Sequence, residues 1–267
     1  MTAITASHRS GLRVPGVRKL EHSLFVYRRI WRGTFFGTMV TPVLYLTAMG
    51  VALGSLVPTM TTFGGVPYIV FLAPGLMAAQ AMQTGTLESS WPLFAGFKWN
   101  KTFEAMIQTP QGVRDIVIGH LYWLIVRLAI VTGVFLIVAF LFGALTSPTA
   151  ILAWPAAILT GIAFGMPMAA WTASRKSEQS FAFVFRFIIT PLFLFSGTFF
   201  PIEQLPDALE WVAWLTPLYH GVALTRGLAI ADTVEPAVLL IHAAVLVGVL
   251  GVGIAFAFRT FRNRLIV

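Results

Sequence analysis

The sequence predicts an all-α integral membrane protein with six transmembrane helices, and three observations carry that prediction. Of 267 residues, 57% are hydrophobic and only 10% are charged, against about 25% charged in an ordinary soluble domain. The apolar residues are gathered into runs of roughly 20 or more, the length a helix needs to cross a hydrocarbon core of about 30 Å. The basic residues that give the chain its formal charge of +8 sit at the ends of those runs, as they do on the flanks of membrane helices. In a soluble protein that charge would point to phosphate contacts; here it marks loops, and no nucleic-acid partner is expected. The chain has no Cys, which excludes disulfides and thiolate metal sites.

From the start, residues 1–33 read as a basic tail leading into an interfacial helix, and 34–267 as a single transmembrane domain. Between Arg9 and Arg32 the chain is basic and runs into the first apolar segment without a small-residue cleavage site, so it reads as an uncleaved anchor. Over residues 17–33, Leu20, Leu24, Tyr27 and Trp31 share one helical face, with Lys19, Arg28, Arg29 and Arg32 elsewhere. That pattern predicts a helix lying in the headgroup plane before the chain turns into the membrane. The six spans are expected at 34–57, 66–90, 116–143, 151–173, 179–200 and 237–258. Pro58, the Gly64-Gly65 pair, Ser147-Pro148, Arg175-Lys176, Pro201 and Pro206 mark the breaks between them. Pro42, Pro74, Pro167 and Pro191 fall inside spans, where neighbouring helices can satisfy the freed backbone groups.

Loop by loop, 15 of the 18 Lys and Arg fall on one side, counted over the N-terminal segment, 91–114, the loop after the fourth span and the tail. Both termini are therefore expected in the cytoplasm. The loop 91–114 contains a short helix stopped by Pro110. The external segment 201–235 is too apolar for a solvated loop: Trp211, Trp214, Leu215 and Leu218 keep helical spacing and Pro217 divides two candidate helices. It is expected to re-enter the membrane before the last span.

Catalytic chemistry is hard to find. There is no G-x-S-x-G and no phosphate-cradling G-x-x-x-x-G-K-[ST], and the five histidines lack metal-ligand spacing. No catalytic, cofactor-binding or metal-ligating residue is assigned, so any ATP must be bound by another subunit. Three charges enter the spans: Glu88 near the cytoplasmic end of the second, Arg127 about three turns into the third, and Arg186 about two turns into the fifth. Such charges are expensive in lipid and face a bundle interior or a wet cavity. A pairing of Glu88 with Arg127 or with Arg186 is expected. The spans offer no midplane carboxylate, which weighs against an ion-coupled secondary transporter of a hydrophobic solute while leaving it the main alternative.

Two stretches carry a family resemblance. One is Lys101-Thr-Phe-Glu-Ala-Met-Ile-Gln-Thr-Pro110, continuing through Asp115-Ile-Val-Ile-Gly-His120. The other is Phe195-Ser-Gly-Thr-Phe-Phe-Pro-Ile-Glu-Gln-Leu-Pro206, followed by Leu215-Thr-Pro-Leu-Tyr-His220 and Arg226. In these, and in the order of elements over nearly the whole chain, the sequence resembles the ABC-2-type permeases, the membrane subunits of bacterial ABC exporters. Within that family it is most similar to the nodulation lipo-oligosaccharide exporter permeases, and next to the daunorubicin-type drug exporter permeases. At position 120, where such permeases often have an acid, the chain has His, and no role is assigned to it.

The resemblance implies a homodimer in the bacterial inner membrane that docks two copies of a soluble ATPase, which bind ATP and magnesium. It makes Thr102, Phe103, Glu104, Ala105, Met106, Ile107, Thr109 and Pro110 the coupling helix that engages the ATPase. It makes Phe199, Phe200, Pro201, Leu205, Pro206, Trp211, Trp214, Pro217, Tyr219 and His220 an external gate. Phe35, Met39, Met77, Met82, Phe185 and Phe193 are candidates to line a path for an amphiphile, either a lipid-linked saccharide or a lipophilic drug.

Overall fold

The computed structural model describes residues 14–55, 65–230 and 234–266. The expected breaks at Pro58 and Gly64, the end of the first span at Val57, and residues 231–233 of the external segment lie outside them. Among the described residues the chain is helical, with no strand. Helix α1 (Val17–Tyr45) continues as a π-helix over Leu46–Leu53. Then come α2 (Tyr68–Glu88), α3 (Trp91–Lys98), α4 (Thr102–Ile107) and α5 (Val113–Leu141). A 3₁₀ turn, Pro148–Leu152, opens α6 (Ala153–Ala173). The next apolar stretch is composite: α7 (Gln179–Val184), a π-helix over Phe185–Ile189, and α8 (Thr190–Phe195). A 3₁₀ turn at Ile202–Gln204 leads to α9 (Asp207–Leu215), α10 (Pro217–Ala229) and α11 (Pro236–Leu265).

Among the described residues, four helical stretches are long and apolar enough to cross a membrane: Val17–Leu53, Val113–Leu141, Pro148–Ala173 and Pro236–Leu265. Helix α2 has the length, at 21 residues, but carries Gln80, Gln83, Thr84 and Thr86. It tolerates them because most of its surface is buried by protein, so it need not match lipid. Helices α6, α5 and α10 and the π-turn after α1 surround it. The α2–α6 contact is close: a Cβ on Gly85 would stand 2.2 Å from the carbonyl oxygen of Gly161. Small residues that let backbones touch are a means of joining helices where lipid supplies no hydrophobic drive.

α1 and α11 are peripheral, with 17% of their apolar windows buried against 56% for Pro148–Ala173. The chain does not turn near Gly33; α1 runs through it unbroken. Of the four residues expected on one apolar face, Leu24 and Trp31 are exposed, and Leu20 and Tyr27 are half-buried. Lys19 and Ser23 are buried and Tyr27 half-buried, while Leu24, Phe25, Val26 and Trp31 are exposed. The stripe of Lys19, Ser23 and Tyr27 faces protein, while Arg28, Arg29 and Arg32 stay exposed beside the apolar residues.

Two further differences are local. The loop 91–114 holds two helices, α3 and α4, and not one. The expected fifth span, 179–200, ends as helix at Phe195 and is widened by the π-turn before Pro191, whose ring would crowd the carbonyl four residues back. Thr190 Oγ1 donates to the carbonyl of Phe185 across that wide turn, at 2.8 Å.

Candidate functional site

At one end of the bundle the basic segments converge. Lys98 Nζ donates to the carbonyl of Lys176 (3.2 Å), and Gly16 N–H donates to Asp115 Oδ1 (3.2 Å). Arg264, at the end of α11, donates to the carbonyls of Thr172, Ala173 and Arg175. The N-terminal helix, the 91–114 loop, the turn after α6 and the tail therefore share one end.

Helix α4 sits on this end as a short protrusion held by one ring. Phe103 is 3% exposed. It lies 4.6 Å from the Phe97 ring of α3 and 6.3 Å from the Phe261 ring of α11, centroid to centroid. Gly96 makes room for it, since a Cβ there would stand 2.6 Å from the ring. Met106 and Ile107 are half-buried against the core, whereas Glu104, Ala105, Gln108, Thr109 and Pro110 are exposed. The helix is thus split into an anchor, Phe103 with Met106 and Ile107, and a free outer face. Lys101 starts it in a left-handed conformation, φ 49°.

Below α4 lies a cavity of about 380 Å³ between α1, α3, α4 and α5. Arg127 Nε–H donates to Glu88 Oε1 at 2.9 Å, and Trp123 Nε1–H donates to Glu88 Oε2 at 3.0 Å. Arg127 also reaches the Tyr27 hydroxyl at 3.4 Å and lies over its ring. Of the two partners the spacing left open, Arg127 is the one joined to Glu88; Arg186 is exposed on the outer side of the 185–189 π-turn. Lys19 Nζ donates to Ser23 Oγ at 2.7 Å and stands 5.9 Å from the centre of the Phe103 ring. His120, 2% exposed, shares a 3.0 Å hydrogen bond with Ser89 Oγ, whose carbonyl accepts from Thr172 Oγ1.

The opposite end is laced by Arg226. Its guanidinium lies over the Phe71 ring at 3.7 Å and donates to the carbonyls of Phe71 and Gly197. Gly197 takes φ 79°, a left-handed turn that carries the chain back toward α9. Tyr68 O–H donates to the carbonyl of Phe199 at 3.0 Å, and Ser196 pairs with Thr216 at 3.1 Å. Of the expected gate residues, Phe199 packs edge-on to Phe193 and Trp214 stacks on Tyr219. Trp211 is exposed, Pro206 is exposed, and Phe200, Pro201, Leu205 and Pro217 are half-buried. His220 is buried on α10 against His242 of α11, with Nδ1 atoms 2.8 Å apart.

Of the six path candidates, Met77 and Met82 are buried inside the bundle, Phe35, Phe185 and Phe193 are half-buried, and Met39 is exposed. Sequence reasoning assigned nothing to Lys19, Trp123, His120, His242 or Arg264. Trp123 could have been found, since it lies four residues before Arg127 and so on the same helical face. Lys19, Ser23 and Tyr27 form an i, i+4, i+8 polar stripe that was equally legible. The His220–His242 contact joins α10 to α11 and leaves no short-range signal.

The family model for the ABC-2 type transporter matches residues 24–229 of the chain, which takes in α4, the Arg226 clamp and the cavity lining except Lys19, His22 and Ser23. Nodulation protein J of Rhizobium meliloti (strain 1021) is 31% identical over 231 residues, covering 86% of this chain and 84% of the relative. Nodulation protein J of Rhizobium leguminosarum bv. viciae is 34% identical over 212 residues, covering 76% and 80%. Inner membrane transport permease YadH of Escherichia coli (strain K12) is 23% identical over 201 residues, covering 74% and 75%. With a domain match over well more than half its length and relatives above 30% identity across most of it, the chain belongs to the ABC-2 type transporter family.

Proposed function

We propose that this chain is the permease subunit of an ATP-driven exporter that moves an amphiphile, a lipid-linked saccharide or a lipophilic drug, across the bacterial inner membrane. A second copy of the chain completes the pathway, and two soluble ATPase subunits bind ATP and magnesium. The observation that carries this reading is the split character of α4: an exposed outward face of Glu104, Ala105 and Gln108, and a buried Phe103 that ties it to α3 and α11. A load applied to that outer face reaches the long helices through an aromatic cluster with little room to give. ATP binding can drive the permease only if it favours one arrangement over the other, and such an anchored lever supplies a differential contact.

Six spans remain the topology we infer: α1 with its π-turn, α2, α5, α6, α7 to α8, and α11, with α9 and α10 re-entering from outside. The shared position of the basic segments supports cytoplasmic termini. The Arg226 clamp and the Phe193–Phe199 and Trp214–Tyr219 contacts support a closable outer end, which takes in Pro201, Leu205, Pro206, Trp211, Pro217 and His220. The path would run along surface carrying Phe35, Met39, Phe185 and Phe193; Met77 and Met82 join it only when the bundle opens. Proteoliposomes holding the permease and its ATPase should move a fluorescent lipid or drug probe with ATP and not with an ion gradient alone. Movement driven by the gradient without ATP would favour a secondary transporter instead.

A further inference from the structure

We propose that the cavity between α1, α3, α4 and α5 binds an anionic phospholipid of the inner leaflet, its phosphate held at Lys19. The leaflet assignment rests on the topology proposed above. The charged and titratable groups facing the cavity are Lys19 and His22 of α1, Glu88 of α2, and His120 and Arg127 of α5, with Tyr27 beside them. Both oxygens of Glu88 have a donor: one takes Arg127 and the other takes Trp123. His120 is committed to Ser89. With that ion pair closed, the cavity is left one positive charge in excess, at Lys19.

Lys19 is 8% exposed, and among the described residues its hydrogen-bond partner is the neutral Ser23 hydroxyl. An ammonium has three donors, so two remain to be met, with the Phe103 ring face and the more distant Glu88 as partial compensation. A buried cation without a bonded anion is costly unless a ligand supplies the oxygen. The space around it suits a headgroup and glycerol, not a whole lipid, at about 380 Å³.

The walls say the ligand is a lipid and not a free anion. Beyond Lys19 and Ser23 the α1 lining passes through Val26 and Ile30 to Thr34. Val26 and Ile30 are 51% and 57% exposed on the side that faces out of the bundle. From Lys19 to Thr34 the helix rises about 22 Å, close to the half-thickness of a bilayer of about 40–45 Å. A polar head at one end and an apolar exit along α1 match one leaflet's depth. Two larger surface hollows, of about 510 and 610 Å³, lie mainly against apolar residues of α5, α6 and α11; the first has one charged residue, the exposed Arg114, and neither holds a buried cation. The occupant would also sit against the ring that anchors α4.

The test is a thermal-shift titration of the full chain, purified in zwitterionic detergent, with short-chain phosphatidylglycerol, phosphatidylcholine and inorganic phosphate. Phosphatidylglycerol should raise the unfolding temperature at concentrations where the other two do not. Lys19→Gln should weaken that binding about tenfold, the loss of one charge-assisted hydrogen bond, while Lys19→Arg keeps it and Arg186→Gln leaves it unchanged. Ile30→Trp, which blocks the exit without touching a charge, should also weaken it and stands in if Lys19→Gln does not fold. Equal response to phosphatidylcholine or to phosphate alone, or wild-type binding by Lys19→Gln or by Ile30→Trp, overturns the site. None of these readouts needs an ATPase or transport, so their failure leaves the permease reading standing.

Discussion

Glu88 accepts from two donors on one face of α5, so losing either charge leaves the other stranded in a site that water reaches poorly. The side chains of Arg127 and Glu88 are 10% and 19% exposed, and removing one partner of such a pair should cost about 2 kcal/mol, somewhat less than for a fully buried one. Glu88→Gln and Arg127→Gln should each lower the unfolding temperature in detergent, and the double variant should lose less than the sum, because the two amides can still bond. Additive losses would mean the pair contributes nothing jointly. Lys101 offers the opposite case. Its left-handed backbone costs a residue with a Cβ roughly 1 kcal/mol, so Lys101→Gly should be neutral to slightly stabilising in the same assay, and a clear loss would contradict a purely conformational role. At this scale the sequence was partly legible. That intramembrane Glu88 needs an Arg could be read from the cost of charge in lipid; which Arg could not, because the choice depends on Arg127 turning toward α2 while Arg186 lies on the exposed side of the 185–189 turn.

Among the elements, α2 and α6 are pressed together through glycine, whereas the outer faces of α1 and α11 are exposed. Gly161→Leu must push a side chain into the space of Leu128 and the Ala81 carbonyl, both within 2.9 Å of a modest Cβ. It should abolish accumulation of monodisperse protein in the membrane fraction. Gly37→Ala on α1, where nothing lies within 4 Å, should leave yield intact and can add up to about 1 kcal/mol of helix propensity. Equal yields of both variants would mean that the α2–α6 contact is not tight. Element positions for α5, α6 and α11 followed directly from apolar runs bounded by Gly, Pro and basic residues. The 17–33 stripe reads as a helix lying in the headgroup plane, but it is the first part of the unbroken α1, whose Lys19, Ser23 and Tyr27 turn in toward α5. The broken course of 179–195 was hidden because a π-turn changes the hydrogen-bond pattern without changing composition.

For the whole molecule, the charge pattern along the chain becomes a spatial fact: the basic segments meet at one end, tied by Lys98, Asp115 and Arg264, and α4 projects from that end. ABC-2 permeases generally work with an ATPase subunit, and the proposed docking would place it against the exposed face of α4. The measurement that tests the central claim most directly is co-purification of a soluble ATPase with the tagged permease from its native membrane in mild detergent. It should be compared with a Glu104→Arg, Ala105→Asp variant, which alters only the exposed face of α4 and spares Phe103, Met106 and Ile107. We expect the ATPase in near-equal amount with the wild type, and its loss from a variant that is still folded and membrane-inserted. An ATPase retained undiminished by the variant, or absent from the wild type even after gentle cross-linking, would contradict α4 as the coupling element of an ATP-driven exporter.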